Sequence, residues 1–101
     1  MFDTIEEIIQ LSRDNGYSFF SRERQEQNHT TVHPTIYYGR YFIVEDDYDQ
    51  KRRIYSIYRA LKDGACDIVN GQMFFSKRQA ERYIKIVLDY EEETTQEYFN
   101  G

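Results

Sequence analysis

The sequence has no tryptophan, a single proline, a single cysteine and five isolated glycines, and each scarcity removes a class of protein. Cys66 has no second cysteine with which to close an internal disulfide, so the chain does not read as a stapled secreted domain, and a reducing cytoplasm is the simplest setting. No two glycines stand at the spacing of a phosphate-cradling loop. There is no run of about 18 apolar residues, so no membrane-spanning helix is expected. Asp3, Glu6 and Glu7 occupy positions that a secretory signal would fill with basic or apolar residues. Asn28-His29-Thr30 spells a glycosylation sequon, which has no meaning in that compartment.

What is present is aromatic and charged. Ten Tyr and seven Phe stand in a chain of 101 residues that is 40% apolar, which suits one domain around one core. Tyr carries a polar tip on an apolar ring, so such a chain can fill a core and still offer rings to a partner. The net charge of −5 is unevenly placed. Residues 1–88 hold thirteen basic and thirteen acidic side chains, and the whole excess lies in Asp89, Glu91, Glu92, Glu93 and Glu97. Neutralising phosphates requires a basic surface, so this balance points away from direct nucleic-acid binding and toward a basic partner.

The pattern along the chain predicts a single α+β domain. Asp3, with Glu6 three residues on, reads as the cap of a first helix whose inner face is Ile5, Ile8, Ile9 and Ser12, stopped by Asn15-Gly16. Ser21 caps a short second helix to about Gln27. Residues 28–35, without periodicity, read as a loop. Residues 36–45 are aromatic and β-branched, with Gly39 marking a bulge or a break between two short strands. Residues 53–60 alternate, with Ile54, Ser56 and Tyr58 on one face and Tyr55, Ile57 and Arg59 on the other. Lys62-Asp63-Gly64 is a tight turn into a strand at 66–69, and Asn70-Gly71 reads as a second turn into a short strand at 72–75. Ser76-Lys77-Arg78-Gln79 is a capping box opening a last helix with an Ala80, Tyr83, Ile84, Val87, Leu88 stripe. The expectation is therefore an N-terminal helix, a three- to four-stranded antiparallel sheet and a C-terminal helix packed on it, with residues 89–101 as an acidic, flexible end. The aromatic-aromatic-Ser-basic pattern occurs both at Phe19-Phe20-Ser21-Arg22 and at Phe74-Phe75-Ser76-Lys77, a consequence of helix-start physics rather than a duplication.

Few residues suggest chemistry. His29 and His33 have chelating spacing only on a helix, and Pro34 beside them favours a loop. Cys66 with either histidine would make a nucleophile–base pair, but a lone cysteine beside a turn reads as a small strand residue. Glu45, Asp46, Asp47 and Asp49 lack the spacing and terminal Glu of a calcium loop. No metal, cofactor or catalytic set is expected, and the chain reads as a binding protein rather than an enzyme. In the last helix, Lys77 and Arg78 at the start and Asp89 to Glu93 at the end oppose the helix dipole, which implies either another constraint or a helix that ends near Leu88.

Over residues 8–88 the chain resembles a loose group of small proteins encoded by bacteriophages and other mobile elements. The resemblance rests on Asn15-Gly16-Tyr17-Ser18-Phe19-Phe20-Ser21, Tyr41-Phe42-Ile43-Val44, Arg53-Ile54-Tyr55-Ser56-Ile57-Tyr58-Arg59 and Met73-Phe74-Phe75-Ser76-Lys77-Arg78-Gln79-Ala80. By class, it implies an inhibitor of host defence such as an anti-CRISPR protein, acting in the bacterial cytoplasm on a basic partner such as a defence nuclease or CRISPR effector. The contact surface expected for a nucleic-acid mimic is Asp46, Asp47, Tyr48 and Asp49 in one turn together with Asp89, Tyr90, Glu91, Glu92 and Glu93. The alternative is a single-stranded nucleic-acid binder that stacks bases on an aromatic sheet face near Arg40, Arg52, Arg53 and Arg59, or another phage regulatory protein.

Overall fold

A computed structural model describes residues 1–47 and 52–92. Four strands, β1 (Thr30–Val32), β2 (Tyr41–Asp46), β3 (Ile54–Ala60) and β4 (Cys66–Phe74), form an antiparallel sheet in chain order. Helix α1 (Ile5–Asp14) lies on one face. Helix α3 (Lys77–Tyr83) lies on the other and runs without a break through a π-helical turn at Ile84–Leu88 into helical residues 89–92. A short α2 (Arg22–Gln27) buries no side chain.

Strand alternation sorts the core into two layers. Tyr41, Ile43 and Ile57 point toward α3 and meet Ala80, Ile84 and Leu88. Phe42, Val44 and Ala60 point the other way and meet Ile5 and Ile8 of α1. Residues 41–44 of β2 are therefore buried on both sides, which explains why Tyr-Phe-Ile-Val reads as an unbroken apolar run rather than an alternating one. The inner face of α1 is the expected one, with Ile5, Ile8 and Ser12 buried.

In the C-terminal helix the fully buried positions, Ala80, Ile84 and Leu88, are each four residues apart. A regular α-helix over-rotates by about 40° every four residues, which would turn Leu88 toward the edge of the stripe that faces the sheet. The wider π turn, closed by the Asp89 N–H donating to the Ile84 carbonyl, removes that drift. It also brings Glu92, the next residue in the series, against the sheet.

Helix caps follow the sequence with one shift. Ser21 and Ser76 cap α2 and α3 through Arg24 N–H and Gln79 N–H at 3.3 and 3.2 Å. The first helix is capped by Thr4 rather than Asp3: the Thr4 hydroxyl accepts from Glu7 N–H at 3.2 Å, and the Glu7 carboxylate accepts from Asp3 N–H at 3.3 Å. The box is one residue later than expected because Thr4 carries both the extended backbone and the hydroxyl that the position requires.

Three other expectations are corrected. The loop at 28–35 contains β1, which pairs Thr30, Thr31 and Val32 with Asp46, Glu45 and Val44. The strand at 36–45 begins only at Tyr41; residues 37–41 turn back on themselves, with Tyr37 N–H donating to Tyr41 C=O and Tyr38 and Gly39 both at positive φ. Asn70-Gly71 is not a turn between two strands but a bulge inside one. Both residues have positive φ, yet β3 pairs with both halves of β4, through Tyr58↔Ile68 and Ser56↔Met73. One β3 residue thus stands opposite four of β4, and the surplus is looped out.

The sheet's two edges are treated differently. At the β1 edge, the Gln25 side chain of α2 accepts from Val32 N–H at 3.2 Å while its amide donates to the Phe20 carbonyl at 2.8 Å. Edge N–H groups satisfied in this way cannot recruit another strand. The β4 edge relies on its bulge.

Candidate functional site

The acidic residues singled out by the sequence fall at opposite ends of β2. Asp46 closes that strand and Asp47 follows it, both exposed; Asp47 N–H donates to the His29 carbonyl at 3.0 Å. Glu92 sits at the other end, over Tyr41. Five residue steps at about 3.3 Å separate Tyr41 from Asp46, roughly 17 Å along the strand. Asp46 and Asp47 therefore do not form one patch with Asp89, Tyr90, Glu91 and Glu92. Tyr48, Asp49 and Glu93 lie outside the described residues.

The C-terminal group is itself divided. Residues 89–92 are helical, so the helix passes the expected end at Leu88. Tyr90 and Glu91 are exposed. Glu92 turns inward: the Tyr41 hydroxyl donates to its carboxylate at 2.8 Å, and an Arg40 guanidinium nitrogen stands 3.4 Å from the other oxygen. Burial, and then Glu92, push the Tyr41 hydroxyl up to about 12, so it remains a donor at any physiological pH. Beside it, Arg59 pairs with Asp67 across β3 and β4 at 3.0 Å. Arg40 supplies the charge opposite to Glu92. At the helix start, Lys77 is paired with Glu81 at 3.6 Å.

The aromatic sheet face proposed as a base-stacking platform lies inside the molecule. Tyr41 and Phe42 are 5% and 1% exposed, Tyr55 and Tyr58 are half-buried, and helices cover both faces. The histidines occupy different environments. His29 is exposed at φ 53°. His33 is half-buried against Glu45, with Nε2 3.3 Å from Oε1 and its ring tilted on Tyr55. Among the described residues no three His, Cys, Asp or Glu side chains converge as a metal site. The Cys66 thiol donates to the Gly64 carbonyl at 3.5 Å. Burial first, then Asp67 and Asp63, push it up to about 11, which leaves it a poor nucleophile at neutral pH.

Two features were not evident from the sequence. Ile86 is 65% exposed on the outer side of the C-terminal helix, one turn from the expected contact residue Tyr90 at 70%; the i, i+4 spacing of the two is the only signal for it in the sequence, beside the stronger stripe at Tyr83, Ile84, Val87 and Leu88. Arg40, Arg59 and Lys62 also converge on a cavity at the end of the sheet, which no linear spacing announces because three different elements supply them.

No helix among the described residues is long and apolar enough to cross a membrane. Compared with protein-family models, with curated proteins and with solved structures, the chain matches none of them.

Proposed function

We propose that the domain is a protein-binding inhibitor of the phage type, and that the outer side of its C-terminal helix occupies a basic groove of a bacterial defence nuclease in place of nucleic acid. The observation that supports this reading is the exposure of Ile86 and Tyr90, at 65% and 70%, on the turn that also carries Asp89 and Glu91. Large side chains held outward by a helix packed on a sheet need no ordering on binding, and rings of this kind dominate interface energetics. The carboxylates beside them complement a positive surface and steer encounter with it. Asp46 and Asp47 form a separate, smaller acidic corner.

The test is competition. The domain is titrated into cleavage reactions of a panel of purified CRISPR effectors and restriction nucleases, with labelled DNA reporting displacement. Inhibition that follows loss of DNA binding supports the reading. If micromolar domain leaves every nuclease active and DNA-bound, the reading fails. Tight binding of labelled single strands by the domain itself, at physiological salt, would favour the nucleic-acid-binding alternative.

A further inference from the structure

At the end of the sheet where α1 begins, Met1, Phe2, Arg40, Arg59, Ala60, Leu61 and Lys62 line a cavity of about 570 Å³. That size falls within the range of small-ligand sites. The position is fixed by the backbone: Phe2 N–H donates to the Gly39 carbonyl at 2.9 Å, and Ala60 N–H donates to the Arg40 carbonyl at 2.8 Å, so the start of the chain, the entry to β2 and the exit of β3 meet here. Part of the wall is apolar and the polar groups are all cationic.

The cations are incompletely satisfied. Arg40 and Arg59 each engage a carboxylate through a terminal guanidinium nitrogen, Glu92 at 3.4 Å and Asp67 at 3.0 Å. The Nε of both is buried, closed to solvent and without a hydrogen-bond partner, which is a cost to the fold rather than a contact open to the cavity. Lys62 is exposed and has no carboxylate at ion-pair distance among the described residues. With the two guanidinium charges compensated by Glu92 and Asp67, the Lys62 ammonium leaves the lining net cationic.

We infer that this cavity binds a small amphipathic anion, an organic carboxylate whose apolar body lies on Phe2, Ala60 and Leu61 and whose oxygens accept from Lys62. The site is separate from the outer face of the C-terminal helix and does not depend on its function.

The probe is octanoate titrated into the full ¹⁵N-labelled chain. Two comparison ligands each carry half of the chemistry: 1-octanol, with the same body and no charge, and inorganic phosphate, an anion with no body. The expected result is saturable shifts at the amides of Phe2, Leu61 and Lys62 with Kd below about 1 mM, and binding of octanol and phosphate weaker by about tenfold or more. Lys62→Met should weaken octanoate about tenfold through loss of a charge-assisted hydrogen bond, with an unchanged melting curve because Lys62 is exposed. Octanol or phosphate binding as tightly as octanoate would overturn the inference. So would shifts confined to other regions, saturation only above about 1 mM, or an affinity indifferent to Lys62→Met.

Discussion

The Tyr41 hydroxyl donates to Glu92 at 2.8 Å, joining the first residue of β2 to the last described turn of the C-terminal helix. The bond ties the helix to the sheet and exists only while the phenol keeps its proton. In the folded protein the Tyr41 hydroxyl is raised to about 12 by burial and then by Glu92, against 10.0 for the free group. Tyr37, Tyr55 and Tyr58 are raised in the same direction, each by burial first.

A raised tyrosine favours the protonated, folded form. The associated stability is fully present below pH 10 and is lost as pH climbs from about 10 through 12, because the unfolded chain releases its protons first. Denaturant melts at pH 8, 10 and 11 should therefore show a falling midpoint above pH 10. Tyr41→Phe should be less stable at pH 8 by about 1 kcal/mol and show a shallower decline above pH 10. A wild-type midpoint that does not move between pH 8 and 11 would count against this account.

Ile84 and Ile86 are two residues apart on the same helix and differ completely in environment, at 0% and 65% exposed. Ile84→Ala leaves a hole between the helix and Tyr41, Ile43 and Ile57 and should cost about 2–5 kcal/mol. Ile86→Ala should change stability by no more than about 0.5 kcal/mol. Urea melts of both variants check how this helix is packed on the sheet.

How much of this was legible in the sequence depended on whether the signal was local. The Ser21 and Ser76 caps, the alternation of β3 and the Ala80, Tyr83, Ile84, Val87, Leu88 stripe are properties of single segments; the caps and the alternation are found as expected, and of the stripe Ala80, Ile84 and Leu88 are buried and Tyr83 and Val87 half-buried. Asn70-Gly71 failed because a positive-φ pair is compatible with either a hairpin turn or a bulge. What decides is the seven-residue β3, long enough to hold both halves of β4. Thr30-Thr31-Val32 is β-branched but flanked by His29, His33 and Pro34, and becomes a strand only because β2 offers an edge. The candidate site was less legible still: Glu92 looked like one more charge in an acidic run, and only the fold brings Arg40 and Tyr41 to it.

The two glycines of the β3–β4 hairpin region give a contrasting pair of substitutions. Both have positive φ, +86° at Gly64 and +61° at Gly71, so alanine is strained by about 1 kcal/mol at either. A Cβ at Gly71 meets open space, whereas one at Gly64 would come within 2.8 Å of the Leu11 carbonyl carbon, in the backbone of α1. Gly64→Ala should therefore cost about 3 kcal/mol or more by forcing α1 off the turn, and Gly71→Ala about 1. Thermal melts giving equal losses would show that the helix does not rest on the hairpin.

The acidic end requires a variant that leaves the structural carboxylate alone. Neutralising Glu91 and Glu92 together would confuse two effects, because Glu92 is held by Tyr41 and Arg40 whereas Glu91 is exposed. The informative variant is Asp89→Asn with Glu91→Gln, which keeps side-chain size and removes two charges from the outer turn. Its stability should fall within about 0.5 kcal/mol of the wild type. If this turn meets a basic partner, association should slow while dissociation changes little, and the difference should shrink as salt rises. Tyr90→Ala should act in the other way, raising the dissociation rate by removing an anchoring ring. Stopped-flow association and dissociation measured against an inhibited nuclease would separate the two. Unchanged rates in both variants would place the contact elsewhere on the domain.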